Sequence, residues 1–206
     1  MPDEPRELEL KYRIDSEPDY LRIVDSLPAA PEREDSSLRN YYFDTQSYLL
    51  SRSQGMLRLR QGRTVVLCFK KGGERKGAPG FFDVVEVEGE VRKELLEEAL
   101  ARPDVLLRES HPAIRSVLKH YGQIELEPIG YLDTLRRCRQ YEGLLLECDE
   151  MTYPDGSRAF EVEVETTRPE HTRKALLRIF DELGITASPQ RHSKLQGLLR
   201  KDGFLP

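Results

Sequence analysis

Charged side chains of one sign recur at every second position in five short segments of the chain. Four of these segments carry acids and the fifth carries arginines. In a β-strand, residues two apart share a face at a separation of about 7 Å, so like charges there repel unless another element supplies counter-charges. The five pairs are Glu7 and Glu9, Arg58 and Arg60, Glu86 and Glu88, Glu147 and Asp149, and Glu161 and Glu163.

A solvent-exposed face is the ordinary explanation for any one such strand. Exposed faces, however, usually mix signs and hydroxyl side chains, whereas these strands carry one sign at adjacent positions of a face. The recurrence favours a barrel interior, in which acids and bases face each other across a wet tunnel. Carboxylates bind hard divalent cations, and arginine or lysine binds phosphate oxygens, so the pattern predicts a site for a metal–polyphosphate complex.

The elements that must position these charges follow from the same alternation. Seven or eight antiparallel strands with helices outside them predict an α+β fold built on a closed or nearly closed barrel, and an open sheet backed by helices is the simplest alternative. The predicted strands are Arg6–Asp15, Leu38–Asp44, Met56–Gln61, Thr64–Lys70, Phe81–Val91, Ile124–Arg139 (one or two strands, bent at Pro128 and Gly130), Leu144–Tyr153 and Ser157–Glu165.

Capping residues and apolar periodicity predict the helices. Ser16 is expected to cap the first helix, and the glycine-rich, basic segment Lys71–Gly80 is expected to form a mobile hairpin tip. The predicted helices are Glu17–Leu27, Arg92–Ala101, His111–Tyr121, Glu170–Leu183 and Pro189–Arg200, with a short helix or turn at Thr45–Arg52.

Length and composition limit the possible functions. The 206 residues fit a single domain spanning 1–206, and the net charge of −5 argues against a nucleic-acid binder. No apolar run approaches the roughly 18 residues of a membrane span. Cys68, Cys138 and Cys148 form no C-x-x-C motif, so we expect plain core cysteines in a reduced, cytoplasmic setting.

A series of short motifs follows the chain in a fixed order. Together they resemble the CYTH, or triphosphate tunnel, superfamily, which includes inorganic triphosphatases, thiamine triphosphatase and class IV adenylyl cyclases. The motifs are Glu7-Leu8-Glu9-Leu10-Lys11 (E-x-E-x-K), Tyr42-Phe43-Asp44-Thr45, Leu57-Arg58-Leu59-Arg60, Phe69-Lys70, Glu86-Val87-Glu88, Thr134-Leu135-Arg136, Glu147-Cys148-Asp149, Glu161-Val162-Glu163 and Ser193-Lys194.

The resemblance implies the family fold, an eight-stranded antiparallel closed tunnel. The stretch Leu144–Glu165 and the ending Gly203-Phe204-Leu205-Pro206 look most similar to plant-type inorganic triphosphatases. The sequence departs from the family at Val84, where a basic residue often precedes the central acidic pair. Either Glu88 and Glu90 form that pair, or another cation compensates, for which Arg75 and Lys76 are candidates.

We assign roles to these residues as a hypothesis. Phosphoryl transfer depends mainly on positioning and on neutralising charge. Lys11 either binds phosphate or holds the glutamates, and it is grouped with Glu7 and Glu9 as catalytic. The expected phosphate ligands are Arg58, Arg60, Lys70, Arg136 and Lys194; the expected Mg²⁺ or Mn²⁺ ligands are Glu7, Glu9, Glu161 and Glu163, with Glu86, Glu88, Glu147 and Asp149 acting directly or through water.

The expected reaction is hydrolysis of inorganic triphosphate to pyrophosphate and phosphate. Hydrolysis of thiamine triphosphate and adenylyl cyclase activity are also possible on the same scaffold, and a polyphosphate-binding module is the non-enzymatic alternative. The expected partner is a small triphosphate, with no nucleic acid or membrane, and the expected state is a monomer or homodimer.

Overall fold

A computed structural model describes residues 4–76 and 78–204. Gly77, in the predicted hairpin tip, and Leu205 and Pro206, at the family-like ending, lie outside these residues. The strands are β1 (Arg6–Ile14), β2 (Ser36–Asp44), β3 (Gly55–Gln61), β4 (Val65–Glu74), β5 (Phe81–Val91), β6 (Glu127–Tyr141), β7 (Leu144–Thr152), β8 (Arg158–Glu165) and β9 (Ala187–Pro189). The helices are α1 (Glu17–Ser26), α2 (Leu49–Arg52), α3 (Glu94–Ala101), α4 (Pro112–Tyr121), α5 (Pro169–Glu182) and α6 (Lys194–Lys201), with a 3₁₀ helix at Pro103–Arg108.

Eight of the strands close into an antiparallel barrel. The order of neighbours is β5-β4-β3-β2-β6-β7-β8-β1, and β1 also pairs with β5, which joins the two ends. The predicted closed tunnel with helices outside is therefore confirmed. Closure leaves these eight strands without a free edge, so their backbone groups are paired around the barrel.

Two predicted boundaries were wrong, and one strand was not predicted. The segment Lys71–Gly80 is not all hairpin tip, because β4 continues to Glu74 and pairs with β5 as far as Phe82. The last helix begins at Lys194 instead of Pro189, since Ser193 and Gln196 form a reciprocal capping box that fixes its first turn. The chain before it forms β9, which the sequence pattern does not predict and which pairs with the end of β1.

The predicted bend near Pro128 and Gly130 occurs within a single strand. Tyr42 of β2 pairs with Gly130, but Phe43 pairs with Pro128, so Ile129 is an extra residue in β6. Gly130 has φ of 140°, a conformation open to glycine and strained for other residues. The resulting bulge bends β6 while keeping it in one ladder, as bulges do.

The outer face of the barrel is apolar and holds the helices. One cluster joins β1, β7 and β8 to α1 and α5, with Tyr12, Val162 and Phe180 among its buried members. A second joins β3 and β4 to α3 and α4, through residues such as Leu59 and Val117. Because the charged side chains point inward, these two outer layers supply most of the apolar burial that stabilises the fold.

Helix α6 packs against one end of the barrel. Leu195, Leu198 and Leu199 form a buried cluster with Tyr42 and with Leu132 and Met151 of β6 and β7. Leu132 and Met151 share the inner face with Arg136 and Asp149, so the helix covers an apolar layer at one end of the interior. This position directs the first residue of α6, Lys194, at the tunnel.

Asp44, the acid of the Tyr-Phe-Asp-Thr motif, is a structural residue. Its fully buried carboxylate accepts hydrogen bonds from the backbone N–H groups of Thr45, Leu50 and Ser51 at 2.7, 2.8 and 2.9 Å. It also accepts one from the Ser51 hydroxyl at 2.6 Å. The carboxylate therefore fixes the turn from β2 into α2.

Replacing Asp44 by alanine should leave these buried donors unpaired and lower the free energy of unfolding by roughly 3 kcal/mol or more. Denaturant unfolding measures the loss. The exposed Asp25, on α1, provides the matched control, and Asp25→Ala should change stability by less than about 0.5 kcal/mol. Equal stability of the two variants would show that the carboxylate does not hold this turn.

Candidate functional site

The barrel encloses a cavity of about 190 Å³ lined by charged residues of both signs. Twelve of the fourteen predicted site residues line it: Glu7, Glu9, Lys11, Arg58, Arg60, Lys70, Glu86, Glu88, Arg136, Glu147, Glu163 and Lys194. The other two, Asp149 and Glu161, are buried against the lining residues and contact them. The tertiary structure thus brings every predicted site residue to one interior.

Lys194 lies between three carboxylates. Its Nζ is 2.9 Å from Asp149 Oδ2 and 2.8 Å from Glu163 Oε1, and it also pairs with Glu161. We call these four residues the Lys194 cluster. Gln190 adds a hydrogen bond from its side-chain N–H to Glu161 Oε2 at 3.2 Å. The lysine predicted to bind phosphate is therefore the counter-ion of acids predicted to bind metal.

Arg136 and Lys11 connect this cluster to the rest of the lining. Arg136 donates to Asp149 Oδ1 at 2.8 Å and to Glu163 Oε2 at 2.9 Å, and it also pairs with Glu147. Lys11 pairs with Glu163 and lies 2.9 Å from Glu9 Oε1. Lys11 therefore holds glutamates in place, which is one of the two roles expected for it.

A second cluster forms around Lys70, which pairs with Glu7 and lies 3.0 Å from Glu86 Oε2. Arg58 approaches the same Glu86 at 3.9 Å. The cation missing at Val84 is thus supplied by Lys70 of the neighbouring strand β4 and by Arg58 of β3, one strand further, and the expectation that Arg75 or Lys76 compensates was wrong.

The pairing also settles the position of the central acids. Glu86 and Glu88 line the cavity, and Glu88 pairs with Arg60 at 3.1 Å. Glu90 lies one step further along β5, where it accepts a hydrogen bond from the exposed Thr64 side chain. The inward acidic pair is therefore Glu86 and Glu88.

Burial and opposing charges shift the ionisation of these groups. Burial, together with the neighbouring Glu163, raises the pKa of Glu161 to about 7 although Lys194 opposes the shift. Burial acts in the same direction on Glu163, but Lys11, Lys194 and Arg136 outweigh it and hold the pKa of Glu163 well below its ordinary value. Burial would lower the pKa of Lys194, yet its three carboxylates raise it well above normal. The cluster thus keeps a protonatable acid beside permanent ion pairs.

The two acids that pair with Lys70, Glu7 and Glu86, also have pKa values shifted in opposite directions. Burial and the adjacent Glu86 raise the pKa of Glu7. For Glu86, burial also acts upward, but the hydrogen bond with Glu7 and the charges of Lys70 and Arg58 lower its pKa overall. One proton between these two acids is therefore held mainly by Glu7.

Several lining residues were missed by the sequence analysis. Arg33, from the loop before β2, lies 3.4 Å from Glu147, and no strand pattern marks a loop residue. Asn40 lines the cavity from β2, where the inward alternation Leu38, Asn40, Tyr42 was the signal that could have found it. Cys68 is not plain filler, because its Sγ lies 3.3 Å from Glu86 Oε1.

The donor set fits a hard divalent cation. Carboxylate oxygens of Asp149, Glu161 and Glu163 lie within 4.8 Å of one another, which suits an ion that prefers several oxygen ligands. A second group, with ligand atoms within the same limit, combines Glu86 and Glu88 with Cys68. The acidic groups of the barrel are thus able to hold a divalent metal ion.

A closed eight-stranded antiparallel barrel with carboxylates and cations together in its interior defines the triphosphate-tunnel class of fold. The model of the CYTH domain family matches residues 5–191, and the chain therefore belongs to this family. No match to the chain was found among curated proteins.

Solved structures show the same fold. HpAC1 from Hippeastrum, a candidate adenylyl cyclase described as revealing a dominant triphosphatase activity, is 28% identical with a TM-score of 0.84, and the alignment covers 97% of each chain. A candidate adenylate cyclase from Bacillus halodurans is 22% identical over 93% of this chain and 97% of that one, with a TM-score of 0.71. PH1819 from Pyrococcus horikoshii is 16% identical over 94% and 99%, with a TM-score of 0.61.

Within residues 4–76 and 78–204, none of the helices has both the length and the apolar character needed to cross a membrane.

Replacing Lys194 by methionine removes the ammonium shared by three buried acids. We expect the metal-free variant to lose about 3–5 kcal/mol of unfolding free energy, the usual result when one partner of a buried ion pair is deleted. Mg²⁺ at a hundred-fold excess over its dissociation constant should stabilise the variant by about 2.7 kcal/mol. The wild type, in which Lys194 already compensates the acids, should be stabilised less. Denaturant unfolding in EDTA and in Mg²⁺ measures both effects.

Lys201→Met, on the same helix, is the control, because Lys201 is partly exposed and its pair with Asp155 is 3.7 Å long. It should change stability by less than about 1 kcal/mol. Equal stabilisation of wild type and Lys194→Met by Mg²⁺ would show that the cation does not replace the ammonium in this cluster.

The raised pKa of Glu161 makes metal-free stability depend on pH. The folded value of about 7 exceeds the ordinary 4.5, so the folded state binds this proton more tightly than the unfolded chain. The resulting stabilisation is complete below about pH 4.5 and is lost as the pH rises through 7. The free energy of unfolding should fall by up to roughly 3 kcal/mol over this range. Stability in EDTA should therefore fall between pH 5 and pH 7.5.

Glu161→Gln should flatten this dependence, whereas Glu150→Gln, on the outer face of β7, should preserve it. Unfolding curves at a series of pH values provide the measurement. The tunnel acids with lowered pKa, Glu86, Asp149 and Glu163, act in the opposite sense and below pH 4.5, outside this window. An unchanged slope in Glu161→Gln would assign the pH dependence to other groups.

Proposed function

We propose that the protein hydrolyses a small triphosphate, inorganic triphosphate above all, to pyrophosphate and phosphate with Mg²⁺ or Mn²⁺. The observation that carries the proposal is one enclosed interior holding both kinds of group such a complex needs. Among the predicted residues, eight carboxylates and six cations meet there: Glu7, Glu9, Glu86, Glu88, Glu147, Asp149, Glu161 and Glu163, with Lys11, Arg58, Arg60, Lys70, Arg136 and Lys194.

The cations bind the phosphate chain. Arg58, Arg60 and Arg136 are planar forks suited to phosphate oxygens, and Lys70 and Lys194 add point charges. Each of these side chains already contacts a carboxylate in the barrel, so phosphate binding exchanges one anionic partner for another. The exchange limits the net cost of taking a highly charged chain out of water.

The acids bind the metal. Asp149, Glu161 and Glu163 are one set of ligands, and Glu7, Glu9 and Glu86 are available from the strands β1 and β5. When bound, the metal neutralises phosphate charge and lowers the pKa of an attacking water.

The similarity to HpAC1 supports this proposal, and it also supports the main alternative function, adenylyl cyclase activity. That protein is described both as a candidate adenylyl cyclase and as having a dominant triphosphatase activity. A cyclase would need a purine site beside the tunnel and would activate a ribose hydroxyl in place of water. Hydrolysis of thiamine triphosphate, and polyphosphate binding without turnover, are two further functions that the same interior could serve.

We further propose that residues 1–206 act as one cytoplasmic domain, as a monomer or homodimer, with the small triphosphate as its partner and no nucleic acid or membrane.

Phosphate release is the first experiment. Inorganic triphosphate, thiamine triphosphate and ATP are compared side by side in Mg²⁺, in Mn²⁺ and in EDTA. Metal-dependent release that is fastest on inorganic triphosphate is expected. A cyclic nucleotide made from ATP without free phosphate would favour the cyclase, and tight binding without turnover would favour a binding module.

Glu9→Gln and Glu163→Gln keep the size of each side chain and remove one charge from the proposed metal ligands. We expect each to lower kcat by about 100-fold or more, the order of effect produced by removing one charged transition-state contact. Circular dichroism and unfolding curves verify that the fold is intact.

Glu150→Gln is the matched control for both variants. Glu150 follows Asp149 directly but lies on the outer face of β7, where it pairs with Arg137 and Arg158. The kcat of the Glu150→Gln variant should remain within about two-fold of the wild-type value. Full activity in both Glu9→Gln and Glu163→Gln would eliminate the metal-ligand assignment.

A further inference from the structure

One wall of the tunnel is neutral. Strand β2 lies four strands from β1 in either direction around the barrel, so it faces the E-x-E-x-K strand across the interior. Where β1 presents Glu7, Glu9 and Lys11, the inward face of β2 presents Asn40 and Tyr42, and Thr134 follows on the adjacent β6. We call Asn40, Tyr42 and Thr134 the neutral wall.

Each of these side chains is buried and has a polar atom without a partner. Asn40, Tyr42 and Thr134 are exposed by only 2%, 1% and 3%. Asn40 Oδ1, the Tyr42 hydroxyl and Thr134 Oγ1 form no hydrogen bond in the described part of the chain. A buried polar group without a partner costs free energy, and native proteins pair nearly all of them, so three together on one wall require an explanation.

The positions of the three groups indicate what they bind. Asn40 is the register partner of Arg60, and Tyr42 is the register partner of Arg58, on the neighbouring β3. Register partners point to the same face with Cβ atoms about 5 Å apart. Thr134 precedes Arg136 by two residues and shares its face. Each neutral group thus stands beside an arginine that we assign to phosphate.

Arg58 extends the pattern. Among the described residues its Nε is also buried without a hydrogen-bond partner, although its charge is compensated by Glu86. An oxygen held by this guanidinium would lie within reach of the Tyr42 hydroxyl beside it. The Tyr42 hydroxyl, the Thr134 hydroxyl and Arg58 Nε can all donate, so these groups share one missing ligand chemistry, an array of hydrogen-bond acceptors.

We propose that Asn40, Tyr42 and Thr134 are positioning residues that donate hydrogen bonds to non-bridging oxygens of the phosphate chain. Tyr42 and Thr134 donate through their hydroxyls. Asn40 donates through its amide N–H groups after a half-turn of the carboxamide, which exchanges its oxygen and nitrogen. The inference rests on the proposed ligand class, a phosphate chain, and not on its hydrolysis.

Neutral donors suit this wall for an electrostatic reason. A further cation on β2 would need its own counter-ion in the free protein, as every tunnel cation has now. A hydroxyl or amide needs none, yet a hydrogen bond from it to a charged acceptor is stronger than one to a neutral group. The wall thereby holds the chain against the carboxylates of β1 without changing the charge balance.

The test uses pairs of variants that differ by one hydroxyl. Tyr42→Phe and Thr134→Val remove the group and keep the shape, and Thr134→Ser restores it. Tyr41→Phe, on the outer face of β2, is the control for loss of a tyrosine hydroxyl. The dissociation constant of inorganic tripolyphosphate is measured by calorimetry in EDTA, so that turnover does not consume the probe.

We expect Tyr42→Phe and Thr134→Val each to weaken tripolyphosphate binding roughly ten-fold or more, the effect of losing a hydrogen bond to a charged acceptor. Asn40→Leu should act in the same direction, and Thr134→Ser and Tyr41→Phe should bind as the wild type does. The ligand-free melting temperature of Tyr42→Phe and Thr134→Val should be unchanged or higher, because each change deletes an unpaired buried group.

Weaker binding without lower stability is a result that a purely structural role would not give. A lower melting temperature with unchanged binding would assign the groups to the fold, through bonds to buried water, and overturn the proposal. Failure of wild-type protein to bind tripolyphosphate would overturn it as well. If the wild type binds tripolyphosphate but does not hydrolyse it in Mg²⁺ or Mn²⁺, the proposed function is contradicted. The role of the neutral wall in binding the phosphate chain is then unaffected.

Discussion

The constraint on which the rest of this protein depends is the pairing of charges inside a closed barrel. A single carboxylate or ammonium buried without a partner would destabilise the fold by several kcal/mol. Each predicted cation of the tunnel therefore touches a carboxylate from another strand or helix, as Lys70 does with Glu7 and Lys194 with Asp149. The same arrangement leaves both charges ready for a ligand that brings its own anions and cations.

This constraint gives the two faces of the barrel different roles: the inner face carries the site and the outer face stabilises the fold. Since the interior is polar, stability must come from outside, where α1 and α5 cover one half of the barrel and α3 and α4 cover the other. Helix α6 belongs to both regions, because Leu195 and Leu198 pack in an apolar layer while Lys194 enters the charged tunnel. One turn of helix thus links the packing of the fold to the balance of charge in the site.

The neutral wall and the charged walls serve complementary purposes. Carboxylates on β1, β5, β7 and β8 provide affinity for a metal, and cations on β3, β4, β6 and α6 provide affinity for the phosphate chain, but charge attraction has little directional preference of its own. Directional groups such as the Thr134 hydroxyl and the Arg58 guanidinium can fix the position of individual oxygens. Their lack of partners in the free protein is a local cost in stability of the kind found at binding sites.

The sequence alone determined which strand residues face inward, because the period of two along each strand is a local property that five same-sign pairs repeat. It also predicted the barrel and eight strands close to their observed bounds. Pairings between distant residues were decided only by the tertiary structure. The register of β4 with β5 brought Lys70 to Glu86, and the packing of α6 placed Lys194 among three acids. Arg33 joined the site in the same way, since barrel closure, and not local pattern, sets which side chains meet across the tunnel.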